Sequence, residues 1–190
     1  MAKIIMITGG QRSGKSSFAE RMALELTEGC KQGPVYLATA RIWDKEFALR
    51  VERHKARRGE RWTNLECEKY LSECNLQGRV VVIDCVTLWA TNFFFDVSAA
   101  AELAEAAEAV DAADGTLVER VLGLMKRELH KLAKQEATLI FVTNEIGLGG
   151  VSENKLQRQF TDIEGWFNQH LAESAQEVYL MVSGIPVKIK

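Results

Sequence analysis

The chain carries Gly-x-x-x-x-Gly-Lys-Ser from Gly9 to Ser16, inside the run GGQRSGKSS. That spacing is the form of a phosphate-binding loop. Glycines let the backbone curl so that several N–H groups point at phosphate oxygens. Lys15 can then reach the β- and γ-phosphates, and the Ser16 hydroxyl can hold Mg²⁺. A second signal is RVVVID, Arg79 to Asp84, an apolar run ending in an acid at the strand terminus. This is a Walker-B pattern, and it makes Asp84 a candidate to hold Mg²⁺, directly or through water. The third signal is a histidine among cations: Arg50, Arg53, Lys55, Arg57, Arg58 and Arg61 surround His54. On a helix, Arg50, His54 and Arg57 share one face. Positive neighbours disfavour the imidazolium form, and a neutral imidazole is a nucleophile. The same cations would neutralise a triphosphate under attack. On the residues alone, a solvated basic face explains the segment equally well.

Positioning these groups calls for strands that end where the chemistry is. KIIMIT (Lys3 to Thr8) precedes the loop as an apolar run of strand length, and SFAERMALEL follows it as a helix. GPVYLAT, RVVVID, ATLIFVTNE and EVYLMV supply further strands. Helices are expected in the middle of the segment 40–62, over VTLWATNFFF, along Leu117, Val121, Leu124 and Leu132, and along Leu156, Phe160, Ile163, Phe167 and Leu171. The Ala- and Glu-rich stretch from Ser98 to Gly115 is read as a peripheral helix or a mobile excursion, without chemistry. A Ser183–Gly184–Ile185–Pro186 turn leads into a short final strand, paired antiparallel. The alternation predicts an α/β fold of the P-loop NTPase kind, a mainly parallel sheet with helices on both faces. Ligands of such sheets bind at the carboxyl ends of strands. That edge should gather the loop, Thr39 to Arg41, Asp84 and Thr143 to Glu145.

At 190 residues the chain suits one domain spanning 1–190. A net charge of -2 argues against a general nucleic-acid binder. No apolar run approaches the length of a membrane span, and Met1 leads straight into a strand, so a cytoplasmic protein is expected. Cys30, Cys67, Cys74 and Cys85 form no Cys-x-x-Cys pair and read as reduced thiols. His130 reads as a surface residue and His170 as a structural one.

ITGGQRSGKS, YLATA, RVERHKARRGERWTNLE, VVIDCVTLWATN, FVTNEIGLGGVSENKLQRQFTDIEGWFNQ and VSGIPVKIK together cover nearly the whole chain. In these segments it resembles the bifunctional adenosylcobinamide kinase/adenosylcobinamide-phosphate guanylyltransferase family of cobalamin biosynthesis. The resemblance implies phosphorylation of adenosylcobinamide with ATP or GTP, with Mg²⁺ as cofactor. It further implies transfer of GMP from GTP to adenosylcobinamide-phosphate through a guanylylated histidine, here His54. The nucleotide-binding positions it implies are Gly9, Gly10, Gln11, Arg12, Ser13, Gly14, Lys15, Ser16 and Ser17 in the loop. Beyond the loop they are Thr39, Ala40, Arg41, Lys55, Ala56, Arg57, Arg58, Glu66 and Asp84. His54 and Lys15 are the expected catalytic residues, and Ser16 and Asp84 the metal ligands. A homotrimer is also implied. The chain departs from the pattern at Asp84, where Glu is common, and at Gly59, where Pro is common.

Three other readings fit the loop, of which one, a nucleic-acid-binding ATPase using the basic helix, predicts salt-sensitive binding that the charge of -2 does not favour. A monofunctional P-loop kinase for a small metabolite would form no covalent enzyme–nucleotide species. A GTP-binding switch protein would carry Asn-Lys-x-Asp, and the nearest string, Asn154-Lys155-Leu156-Gln157, lacks the acid.

Overall fold

The computed structural model describes residues 1–42, 52, 55, 58–106 and 115–190. Apolar runs with no polar alternation need cover on both faces, which a parallel sheet between helices provides. The runs IIMI, VVVI and LIFV become β1 (Lys3–Gly9), β4 (Val80–Asp84) and β5 (Thr138–Val142) at the centre of a seven-stranded sheet. β2 (Val35–Ala38) and β3 (Thr63–Glu66) extend one side; β6 (Glu177–Val182) and β7 (Ile185–Lys188) extend the other. The order is β3-β2-β4-β5-β1-β6-β7. All neighbours are parallel except β6 and β7. The register pairs Asp84 with Val142 and Ile7 with Val142, so β4 and β5 end level and β1 runs two residues further, into the loop.

The period of two along each strand divides the core. Ile5, Ile7, Tyr36, Val82, Ile140 and Val142 face α1 (Lys15–Leu26), which packs through Ala19 and Ala23. Ile4, Met6, Leu37, Val81, Ile83, Leu139 and Phe141 face the opposite layer. That layer consists of α2 (Val86–Ala106), α3 (Leu117–Leu132) and α4 (Lys155–Ser174). Trp89 and Phe167 meet there edge to face at 5.4 Å, both fully buried. Truncating Phe167 to Ala would cost about 3–5 kcal/mol. A Thr116/Glu119 capping box starts α3, and the Asn154 side chain caps α4 by accepting from the Gln157 N–H.

Three expectations need correction. The helix over Val86 to Phe95 does not end there but runs on to Ala106, so the front of the Ala-rich stretch is helical as part of α2 and not a separate element. The last turn is tighter than expected: Ser183 and Gly184 alone make it, at φ 50° and 86°, and Pro186 lies within β7. Two positive φ angles are what a two-residue hairpin of this twist requires. Pro186 is tolerated because β7 is an edge strand. β3 stands where no strand was expected.

Candidate active site at the carboxyl edge of the sheet

The loop between β1 and α1 takes the conformation its residue types allow. Gly9 has φ 145°, and a Cβ there would lie 2.6 Å from the Met181 carbonyl oxygen, so only glycine fits. Gly14 precedes α1 at φ 95°. The Gly184 N–H donates to the Ser13 carbonyl at 2.9 Å, so the β6–β7 hairpin braces the loop from the side. Gly10, Gln11, Arg12 and Ser17 are exposed, whereas Ser16 is half-buried at the first turn of the helix. The Ser13 Oγ is buried with no hydrogen-bond partner among the described residues, a donor of the kind phosphate oxygens satisfy.

Lys15 is nearly buried, and its Nζ donates to the Gly10 carbonyl at 2.7 Å, which curls the loop back on itself. Burial lowers the Lys15 ammonium below the ordinary lysine range, offset in part by Asp84, Cys85 and Glu164. An anion bound beside it would stabilise the charged form.

Asp84 ends β4 beside the loop. Its Oδ2 accepts from the Tyr36 hydroxyl at 2.8 Å, and the Thr39 N–H donates to its carbonyl at 3.2 Å. The peptide between Asp84 and Cys85 is cis. Thr39 Oγ1 accepts from the Cys85 N–H at 2.9 Å and lies 2.7 Å from the Cys85 carbonyl, to which it donates. Asn92 holds the next turn, donating to the Thr39 and Glu68 carbonyls. Burial and the Asp84 carboxylate push the Tyr36 phenol well above its usual range. The other side of its ring takes the Arg58 guanidinium, 3.6 Å from the centroid.

Arg58 also donates to Asn64 Oδ1 at 3.0 Å and pairs with Glu20 at 3.7 Å. Lys55 pairs with Glu66 at the end of β3. Two of the basic positions are therefore tied to the β2–β3 side of the edge. Gly59, at φ 74°, takes a conformation closed to proline, which accounts for the residue type there. His54, Ala56 and Arg57 lie outside the described residues, as do Arg50 and Arg53. Arg41 turns to Asp96 and Glu68, at 3.0 Å and 2.7 Å, and Lys69 pairs with the same Asp96. These hydrogen bonds hold the Asp96 carboxyl down to about 2. Ala40 lies between, half-buried.

Glu145 closes the other flank. It accepts from Thr8 Oγ1 at 2.8 Å, and its N–H donates to the Gly9 carbonyl at 3.3 Å. Three groups were not singled out from the sequence: Tyr36, Thr87 and Glu164. Glu164 projects from α4 beneath this edge, and burial pushes its carboxyl up to about 7. No group of three or more His, Cys, Asp or Glu side chains suited to a metal occurs among the described residues. Mg²⁺ at a phosphate loop would need only one hydroxyl and one carboxylate beside phosphates and waters. Ser16 and Asp84, both half-buried at the edge, are such a pair.

The family model for cobinamide kinase / cobinamide phosphate guanyltransferase matches residues 5–189. The chain belongs to this family. The bifunctional adenosylcobalamin biosynthesis protein CobU of Escherichia coli (strain K12) is 38% identical over 98% of this chain and 99% of its own. The protein of the same name from Salmonella typhimurium is 35% identical over the same shares. Among solved structures, flagellar accessory protein FlaH from Methanocaldococcus jannaschii overlays with a TM-score of 0.46 at 14% identity. That overlay spans 99% of this chain and 78% of FlaH. No described helix is long and apolar enough to cross a membrane.

Proposed function

We propose that residues 1–190 form one unit that phosphorylates adenosylcobinamide with ATP or GTP and then joins GMP from GTP to the product. The observation that carries this is Lys15, folded onto Gly10 within a glycine-shaped loop and flanked by Asp84. In the first reaction the substrate hydroxyl oxygen bonds to the γ-phosphorus as the bond to the bridging oxygen breaks. The nucleoside diphosphate leaves and the hydroxyl proton passes to water. Lys15 and the loop N–H groups hold the phosphates in line and offset their charge, which is most of what such a transfer needs. Ser16 and Asp84 are the residues that would hold Mg²⁺, which when bound neutralises phosphate charge.

In the second reaction the His54 imidazole attacks the α-phosphorus of GTP, and pyrophosphate leaves. A phosphate oxygen of adenosylcobinamide-phosphate then displaces the imidazole, giving adenosylcobinamide-GDP. Support comes from the cations beside His54 in sequence: Lys55 and Arg58 are already drawn to the β3 end of the edge. A homotrimer is part of the proposal, supported by the exposed Leu148, Val151 and Leu156 near the same edge. A cytoplasmic location goes with these substrates.

The test is to incubate the protein with Mg²⁺ and GTP labelled at the α-phosphate. Protein-bound label that survives alkali, is lost in acid and is absent from His54→Ala is expected. GTP binding without label would refute the covalent step and leave a monofunctional kinase.

A further inference from the structure

One hydrogen-bond chain at this edge has no part in the loop or the metal pair. It begins at Glu164, on α4, which is 0% exposed. Thr87 Oγ1 donates to Glu164 Oε1, and Asn144 Nδ2 donates to Thr87 Oγ1 at 2.7 Å. The Asn144 main chain is held as well: its carbonyl accepts from Asn168 Nδ2 at 3.0 Å, and Asn168 Oδ1 accepts from Thr143 Oγ1 at 2.8 Å. Donor counting fixes the direction. A hydroxyl has one proton, and a carboxylate can only accept. Thr87 spends its proton on Glu164, so at its contact with Asn144 it can only accept, and the end of the amide that faces it is N–H₂. The planar amide then turns Oδ1 away from Thr87. Asn144 is half-buried at the end of β5, and the next residue, Glu145, donates its N–H to Gly9 at the start of the loop.

We propose that Glu164, acting through Thr87, positions the Asn144 amide with its carbonyl oxygen toward the phosphate edge, where it accepts the hydrogen bond of the hydroxyl to be phosphorylated. This rests on the kinase reading above. Asn144 is the group that touches substrate; Glu164 and Thr87 are positioning residues. Asn144 orients the O–H and takes no proton.

The same arithmetic runs in reverse when Glu164 is protonated. Its O–H can then donate to Thr87, whose proton turns toward Asn144, and the amide presents N–H₂ in place of oxygen. The charged and titratable groups that act on Glu164 are Lys15 from α1, Glu145 after β5 and Cys85 before α2. Its carboxyl sits at about 7, so the reversal falls within reach of ordinary assay conditions.

The experiment measures kcat and KM for phosphorylation of adenosylcobinamide from about pH 5.5 to about 8.5. Glu164→Leu and Thr87→Val should each lower kcat about 10- to 100-fold with the nucleotide KM unchanged. The double variant should be no worse than either single one, because the three residues act in series. Glu164→Gln still offers Oε1 to Thr87, so it should restore most of kcat and erase the fall in rate toward acid pH. Undiminished kcat in Thr87→Val, losses that multiply, or an acid limb that persists in Glu164→Gln would overturn the proposal. Glu164→Gln and Thr87→Val carry the test if Glu164→Leu does not fold. If the wild-type protein phosphorylates no adenosylcobinamide, it is the kinase reading that fails. The chain is then read by infrared titration of the Glu164 carboxyl, assigned with Glu164→Gln. A titration that shifts in Thr87→Val and in Asn144→Ala supports the chain, and an unmoved one overturns it.

Discussion

Asp84 and Glu164 both act on Lys15, yet from opposite kinds of surroundings. Asp84 terminates a strand, half-buried, with Tyr36 on one oxygen and the open edge of the sheet beside it. Glu164 belongs to a helix packed beneath that edge, fully buried, and its Oε2 has no hydrogen-bond partner among the described residues. Burial without full hydrogen bonding penalises the charged form, so Glu164 is pushed up to about 7. The half-buried Asp96, hydrogen-bonded by Arg41 and Lys69, moves the other way, down to about 2. The same functional group is therefore held above or below its ordinary range according to what covers it and what donates to it.

The comparison can be broken most sharply at its shared neighbour. Lys15→Ala should lower kcat/KM of both reactions on the order of 10³-fold, since one site serves both. Full guanylyl transfer in that variant would separate the two sites. The next effect is on stability. The folded-state carboxyl of Glu164 lies above its ordinary value of 4.5, so the folded protein binds the extra proton. Stability from this group is complete below pH 4.5 and is lost as pH rises through about 7. At about 1.4 kcal/mol for each pH unit between the two values, Glu164→Gln should gain about 3 kcal/mol over wild type at pH 8 and little at pH 4. Urea unfolding of both proteins across that range measures it, and parallel curves would mean that Glu164 titrates normally.

Tyr36→Phe removes the hydrogen bond that orients Asp84. A cost of about 1 kcal/mol, or about fivefold in kcat at limiting Mg²⁺, is expected, with recovery as Mg²⁺ is raised. An Mg²⁺-independent loss would detach Tyr36 from the metal role of Asp84. The smallest effect belongs to the surface cluster. Asp96→Asn should change stability at pH 7 by less than about 1 kcal/mol, because exposed ion pairs are screened. A larger change in thermal unfolding would show that Arg41 depends on this pair for more than its position.

Much of the positioning apparatus is legible in the chain. IIMI, VVVI and LIFV have only one economical use, as strands covered on both faces. Ile163, Phe167 and Leu171 announce the buried face of α4. β3 is not legible, because an edge strand of four residues with only Leu65 half-buried shows no pattern to count. The continuity of α2 past Phe95 is not legible for a related reason: alanines with no large apolar neighbours suit a helix but leave no stripe that joins it to the one before. Glu164 is hidden for another. Beside Ile163 in an amphipathic helix, an acid reads as part of the wet face, and only the packing of α4 under the strand ends makes it buried.

What the sequence determined by itself is the chemistry that local spacing can encode. The glycines, Lys15 and Ser16 sit within one turn of one another, so their geometry follows from a few backbone angles. Asp84 follows from the end of an apolar run. What the tertiary structure alone decided is which distant groups meet those: Tyr36 on Asp84, Met181 and Gly184 against the loop, Thr87 and Asn144 on Glu164. Those pairings are set by strand order and helix packing, and the desolvation that raises the Glu164 carboxyl exists only once the layers have closed.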